Sequence, residues 1–444
     1  MPEAFERWAR LRRLLWQPPR PHGEQPLERA VSPLELFYDL VVVVLVGEAA
    51  HHLSAHLSWR GLAEFAAVFT LIWIVWLNGS LYHDLHGRED ARGRTALLVQ
   101  ILAMVPLGAF IPKASGSGGF AFLVSAAVLF AVLALVWLST ERGTSAEYRR
   151  SSRVFVGGTI ACAALLAAQA SLPADTRVAV WLLLDLLNLA GLSVMIGTAS
   201  PGLTITPALI ERFGLFTIIV LGETVLGVVD GLAHESADAL TIAVGLVAVV
   251  IGFGVWWTYF DFVGRRPPRP TRAATVHWII AHLPLPAAVT AMGAAMPGLA
   301  EHAHHGRTPA TIAWLLCAAT VVALAAAMAL SASLEAWRAD RALYRPVARA
   351  RARARARACA VVGVLCLALA VARPAPLPLG LALVALLAFP GASPSSARRR
   401  TTRSRVAADR RPGSQALPPG RRRSSRPPTG RRPRARRRCC ESAC

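Results

Sequence analysis

The sequence predicts an all-α polytopic membrane protein of about twelve transmembrane helices, arranged as two parallel six-helix repeats, and three observations carry that reading. Apolar stretches long enough to cross a hydrocarbon core, roughly 20 residues each, recur from Val41 almost to Phe389. Arginines gather in alternate loops, as they do on the cytoplasmic side of a multi-span protein. Residue patterns of the first half return about 175 positions later. Composition agrees: 54% of residues are hydrophobic and 17% charged, with a mean hydropathy of +0.45, more apolar surface than a soluble domain of 444 residues needs for its core.

Residues 1–33 read as a cytoplasmic N-terminal segment. Within 4–16, Phe5, Trp8, Leu11 and Leu15 fall at helical spacing opposite Arg7, Arg10 and Arg13, the pattern of an amphipathic helix on the membrane surface or of a solvated lead-in. Pro18, Pro19, Pro21 and Pro26 break any helix before the first span. No short apolar region with a small-residue cleavage site precedes that span, so it is expected to act as an uncleaved anchor. Spans are expected at 34–56, 61–83, 95–113, 119–140, 154–171 and 177–198, forming the first repeat (34–198). A second set, at 205–231, 239–262, 274–298, 309–333, 358–373 and 376–391, forms the other (199–391). Residues 392–444, rich in Arg, Pro and Ser, bury too little to offset chain entropy and read as a disordered cytoplasmic tail.

One side of the membrane collects the N-terminal arginines, Arg88, Arg92 and Arg94, then Arg142, Arg149, Arg150 and Arg153, then Arg265, Arg266, Arg269 and Arg272, and the run from Arg338 to Arg357. The other side has Arg60, Lys113, Arg177, Arg307 and Arg373. An even number of spans with both termini cytoplasmic satisfies this alternation. The net charge of +22 owes much to 17 arginines after Ala397, a distribution that argues against a specific nucleic-acid partner. Besides the bilayer itself, the partner such a tail attracts is anionic lipid. Seven cysteines form no disulfide framework, and no P-loop, dinucleotide fingerprint, nucleophile elbow or paired-cysteine zinc pattern calls for a cofactor or an enzyme.

The repeat rests on three matches in order. Glu35, Phe37, Gly47 and Glu48 of the first span return as Glu211, Phe213, Gly222 and Glu223 of the seventh. Trp76, Tyr82 and Asp84 correspond to Trp256, Trp257, Tyr259 and Asp261, and Pro106 to Pro284. Six spans per half make the repeats parallel, related by an axis along the membrane normal.

An ionised carboxylate inside a bilayer costs several kcal/mol unless it is paired, protonated or set against a wet cavity. Glu48 and Glu223, each following a glycine at equivalent depth, are therefore the first candidates for a proton- or cation-coupled site. They read equally as neutral hydrogen-bonding glue between helices. Asp185, with Asn188 one turn on, is a third candidate proton carrier. Glu35 and Asp39 share a helix face near the cytoplasmic interface, where Arg94 or Arg212 can pair with them. His277 and His282 stand roughly 140 degrees apart around a helix, too far for one metal, though either can relay protons or simply pack. His51, His52, His302, His304 and His305 crowd the outer face, where such imidazoles can bind zinc or copper, but their spacing matches no strong metal motif.

The stretches SPLELFYDL (32–40) and ERFGLFTIIVLGETVLG (211–227) resemble the bacterial low temperature requirement protein A family, with similarity over roughly 31–390. The motif positions the resemblance carries over are Glu35, Phe37, Asp39, Glu211, Arg212, Phe213, Gly222 and Glu223; the Arg-rich tail departs from the pattern. The resemblance implies a membrane-embedded protein of the bacterial inner (plasma) membrane, linked by its name to growth in the cold, and supplies no reaction. The leading expectation is a proton- or cation-coupled secondary transporter of an unknown small solute or ion. The alternatives are a non-transporting protein of cold adaptation or membrane integrity, and a membrane enzyme with an outer-face metal site.

Overall fold

The computed structural model describes residues 15–21, 29–144, 146–198, 205–235, 238–334 and 345–388, all within one compact unit. The surface helix expected at 4–16 lies almost wholly outside the described residues, and the tail at 392–444 entirely so. The described residues are helical, with one isolated bridge between Pro268 and Leu334. In chain order the helices are α1 (Pro33–Ala55), α2 (Trp59–His86), α3 (Ala91–Phe110), α4 (Gly119–Leu138), α5 (Ala146–Gln169), α6 (Ala174–Thr198) and α7 (Pro207–Ala233). They continue as α8 (Ala239–Phe262), α9 (Arg272–Ala281), α10 (Pro284–Glu301), α11 (Ala310–Ser333), α12 (Arg345–Ala372) and α13 (Pro376–Ala388).

Local chemistry explains where they start. Ser32 and Glu35 form a reciprocal capping box with Pro33 between them, so α1 opens where the backbone amides find side-chain acceptors. At the starts of α2, α3, α7, α8 and α9 the side chains of Ser58, Asp90, Thr206, Asp238 and Thr271 accept from first-turn amides. Every expected span coincides with helix, but α5 and α12 begin earlier than 154 and 358. Their added turns carry arginines, because hydropathy marks where a helix becomes apolar, not where its hydrogen bonding begins.

The expected ninth span is broken in two. His282 and Leu283 turn back to the carbonyls of Ile279 and Ile280, a three-residue tightening, because Pro284 lacks the amide that would continue the helix. α9 and α10 together still make a membrane-length stretch of 30 residues. Pro106, matched to Pro284 in the sequence, instead lies inside the unbroken α3.

Among the described residues nine stretches are long and apolar enough to cross a membrane, which makes the chain a multi-pass helical membrane protein. α1, which carries Glu35, Asp39 and Glu48, is not one of them, and the apolar parts of α12 and α13 are shorter. In α2 and in the α9–α10 stretch 78% of the apolar window is buried, against 22% in α5, so the former two are central and the latter peripheral. Leu135, Leu186, Leu246 and Val364, all more than 60% exposed, show the outer helices presenting leucine and valine where lipid stands. At the centre α1 packs on α2, α3, α7 and α10, and α7 on α8 and α10.

The α7–α10 contact is close because side chains are missing from it. A Cβ on Gly227 would fall 2.4 Å from the Gly293 carbonyl oxygen, and one on Gly293 2.9 Å from that of Glu223. Two backbones this near require glycine, the device by which membrane helices gain packing without a hydrophobic drive.

Candidate functional site at the α1–α7 seam

The two motif segments meet in space. Glu35 is committed to the start of α1, accepting from the Ser32 amide and from the Arg29 guanidinium. One turn on, Asp39 points inward and is fully buried. It receives the Arg212 guanidinium through Nη2 at 2.6 Å and Nε at 3.3 Å, and the Trp76 indole N–H at 2.8 Å. Arg212 is 2% exposed and faces the Tyr38 ring at 5.9 Å; its Nη1 has no hydrogen-bond acceptor. Of the two arginines the sequence offered as partners, Arg212 is paired with Asp39, while Arg94 is exposed.

Aromatic rings pack around this ion pair. Trp76 stacks on Phe216 at 4.2 Å and meets Phe213 edge-on at 4.9 Å. Phe213 contacts Trp278 and His282 in turn. His282 is buried, its Nδ1 on the Trp278 carbonyl at 2.6 Å and its Nε2 against the Tyr259 hydroxyl at 3.2 Å. At the same end of the bundle the Thr206 hydroxyl, which caps α7, donates to Asp84 at the end of α2. Asp261, matched to Asp84 in the sequence, is exposed and accepts from Trp257 at 2.8 Å, so the paired positions do different work.

Further along the same two helices, about 16 Å from Arg212 by helical rise, Glu223 extends across to α1. Its carboxyl oxygens stand 3.0 and 3.2 Å from where a Cβ of residue 47 would be, so Gly47 provides the space the acid fills. Glu48, half-buried, is the next residue of α1. Among the described residues neither glutamate has an ion-pair or hydrogen-bonding partner. Gly222, by contrast, faces open space, so it is not a second point of close approach.

The remaining candidates are dispersed. Asp185 is buried with one carboxyl oxygen unpartnered, in a small cavity of about 10 Å³ lined also by Trp181, Asn188 and Cys162. Asn188 Nδ2 donates to the Cys162 sulfur at 3.1 Å. His277 is exposed and bonds the Ala329 carbonyl at 2.8 Å, away from His282 as the helical spacing requires. Phe37 and Glu211 are exposed, on the outward sides of α1 and α7.

The histidines expected at the outer face do not gather. His52 lies 3.4 Å from Glu64, which also takes Arg60; His302 packs on His305; His304 bonds Asp238 at 2.8 Å; His51 is exposed. Among the described residues no group of three or more His, Cys, Asp or Glu is gathered as a metal site. Asp238, outside the membrane segments, has its carboxyl held well below the usual range by His304 and then by the Thr241 amide and hydroxyl it caps.

Sequence reasoning missed the Asp84–Thr206 clip and the glycine contact of α7 with α10. A Thr-Pro pair at a helix start signalled the first; Gly227 at four residues from Gly231 signalled the second.

A family model described as bacterial low temperature requirement A protein matches residues 30–392, most of the chain. An uncharacterised protein of Rhizobium meliloti is 27% identical over 271 residues, covering 56% of this chain and 65% of that relative's length. No solved structure matches.

Proposed function

The chain belongs to the bacterial low temperature requirement A family, and from its α1–α7 seam we propose that it is a proton- or cation-coupled secondary transporter of the inner membrane. The observation that carries the proposal is the Glu223 carboxyl set against Gly47, the residue before Glu48, and without a cation partner among the described residues. An unpaired carboxylate is costly at membrane depth, and on this reading a cation taken up by Glu223 changes how α1 and α7 fit. On this reading the Asp39–Arg212 pair closes the other end of the same seam, which the arginine alternation assigns to the cytoplasm.

A twelve-span duplicated plan accompanies this reading. What supports it is a repeated order of neighbours. In the first half α1 packs on α2 and α3, α3 on α4, α4 on α5, α5 on α6, and α2 on α6. In the second, α7 packs on α8 and α10, α10 on α11, α11 on α12, α12 on α13, and α8 on α13. Parallel halves put Glu48 and Glu223 at one depth. Both termini are then cytoplasmic, with anionic lipid as the partner of the basic tail.

A second reading is favoured by the buried Asp39–Arg212–Trp76 network: a non-transporting protein that stiffens the bilayer's helices in the cold, its acids serving as struts. Proteoliposomes separate the two. With a pH gradient imposed in the presence of mixed small metabolites and ions, wild-type protein dissipates the gradient faster than empty vesicles, and Glu48→Gln and Glu223→Gln, which keep shape and hydrogen bonding, do not. Dissipation by both Gln variants at the wild-type rate would leave the strut reading in place.

A further inference from the structure

We propose that the outer end of the first half carries a site for a phosphate oxyanion, formed by Arg177 of α6, the open N-terminus of α4 and Lys113. The proposal does not depend on the transport reading.

Arg177 is 8% exposed, so its guanidinium is out of bulk water. Nη2 donates to the Leu172 carbonyl at 2.8 Å, while Nε and Nη1 are buried with no acceptor. Nη1 and Cζ lie 1.7 and 2.8 Å from where a Cβ of Gly119 would be, so the guanidinium occupies the space left by the absent side chain of the first residue of α4. That helix runs 20 residues, and Gly118 at its cap supplies no side-chain acceptor for the first-turn amides. The loop before it, Lys113 to Gly119, is folded on itself: Gly116 and Gly118 donate to the Lys113 carbonyl, and Gly119 to that of Gly116. Lys113 is brought to the same corner, its Cβ 2.6 Å from the Cβ position of Gly118, with its ammonium in no ion pair among the described residues.

Buried Arg177 and exposed Lys113 thus stand at one corner with the positive end of a helix, and among the described residues no carboxylate pairs with either cation. A buried guanidinium with two idle donors is stable when an anion brings several acceptors in a fixed array, and a tetrahedral phosphate does so. Glycine-rich loops that lead into helices suit this chemistry because the backbone can approach closely. The alternation of arginines puts the corner at the outer membrane interface, where phospholipid phosphates stand. A lipid headgroup and a free phosphate share the chemistry.

The full chain purified in detergent tests it by native mass spectrometry for phosphatidylglycerol and by calorimetric titration with inorganic phosphate. Wild type retains the lipid or binds phosphate saturably, Arg177→Gln weakens this by about tenfold or more, and Lys113→Gln weakens it less. Lipid retention that excess phosphate does not displace assigns the site to a headgroup; saturable phosphate binding that displaces lipid assigns it to the free ion. Should Arg177→Gln fail to fold, Arg177→Lys takes its place, keeping the charge but losing the two-donor fork and so binding more weakly than wild type. Neither ligand bound by wild type, or equal binding by wild type and the Arg177 variant, overturns the proposal.

Discussion

Replacing Asp39 by leucine removes the acceptor of three hydrogen bonds at once, two from Arg212 and one from Trp76. Arg212, 2% exposed, is then left with a buried charge and no counter-ion at bonding distance. Breaking one side of a buried pair costs about 3–5 kcal/mol, most of it the desolvation of the charge left behind. Arg212→Leu should cost a similar amount, because Asp39 then keeps only the Trp76 donor. The double variant removes both charges from a pocket already lined by Tyr38, Phe213 and Phe216, so it should be less damaging than the sum of the two by at least about 2 kcal/mol. Denaturant unfolding of the reconstituted protein, followed by tryptophan fluorescence, gives all three free energies. Single variants that cost under about 1 kcal/mol and simply add would refute the reasoning, because the pair would then be solvated or unformed.

Other perturbations probe other parts of the seam. Gly227→Ala drives a methyl into the Gly293 carbonyl, backbone against backbone, and should destabilise by about 1–3 kcal/mol in a thermal melt; an unchanged melt contradicts the close contact. Gly47→Ala meets only the flexible end of Glu223, so the fold should persist while the carboxyl moves: gradient dissipation in liposomes should fall with little change in melting, and wild-type dissipation would argue against the site. At the start of α8 the folded-state acidity of Asp238 is strengthened, so its cap holds above the ordinary carboxylate range and is lost only as pH falls through the lowered folded value. His304→Ala should move that loss to higher pH in hydrogen exchange of the Leu240 and Thr241 amides; identical acid profiles would refute the role of His304.

Much of the helical plan was legible because spans are written in apolar length and their starts in Ser, Thr, Asp and Pro. Asp39 and Arg212 could be suspected as partners, since each is a charge too deep to stand alone, yet Arg94 fitted the sequence as well. Which of them is buried depends on how α1 and α7 cross, a property of packing that one chain's periodicity does not contain. The same holds for Glu223, whose depth could be read but not its reach across to Gly47. The expected repeat misled where it equated roles: Trp76 and Asp84 are buried, bonded to Asp39 and Thr206, while Trp257 and Asp261 pair on an exposed surface. His52 and His304, grouped in the sequence reading, meet different acids, Glu64 and Asp238, which spacing alone does not show.

The transport site depends on the Glu223 side chain touching α1 at Gly47, and thiol cross-linking measures that contact directly. In a cysteine-free background, Gly47→Cys combined with Glu223→Cys should be joined in native membranes by a short bifunctional thiol reagent, because the first atom of a side chain at 47 lies 3.3 Å from the Glu223 carboxyl carbon, and the reagent makes up the length lost when that carboxyl is replaced. A folded double-cysteine protein that remains unjoined under conditions that link other neighbouring pairs would contradict the seam and the transport site built on it.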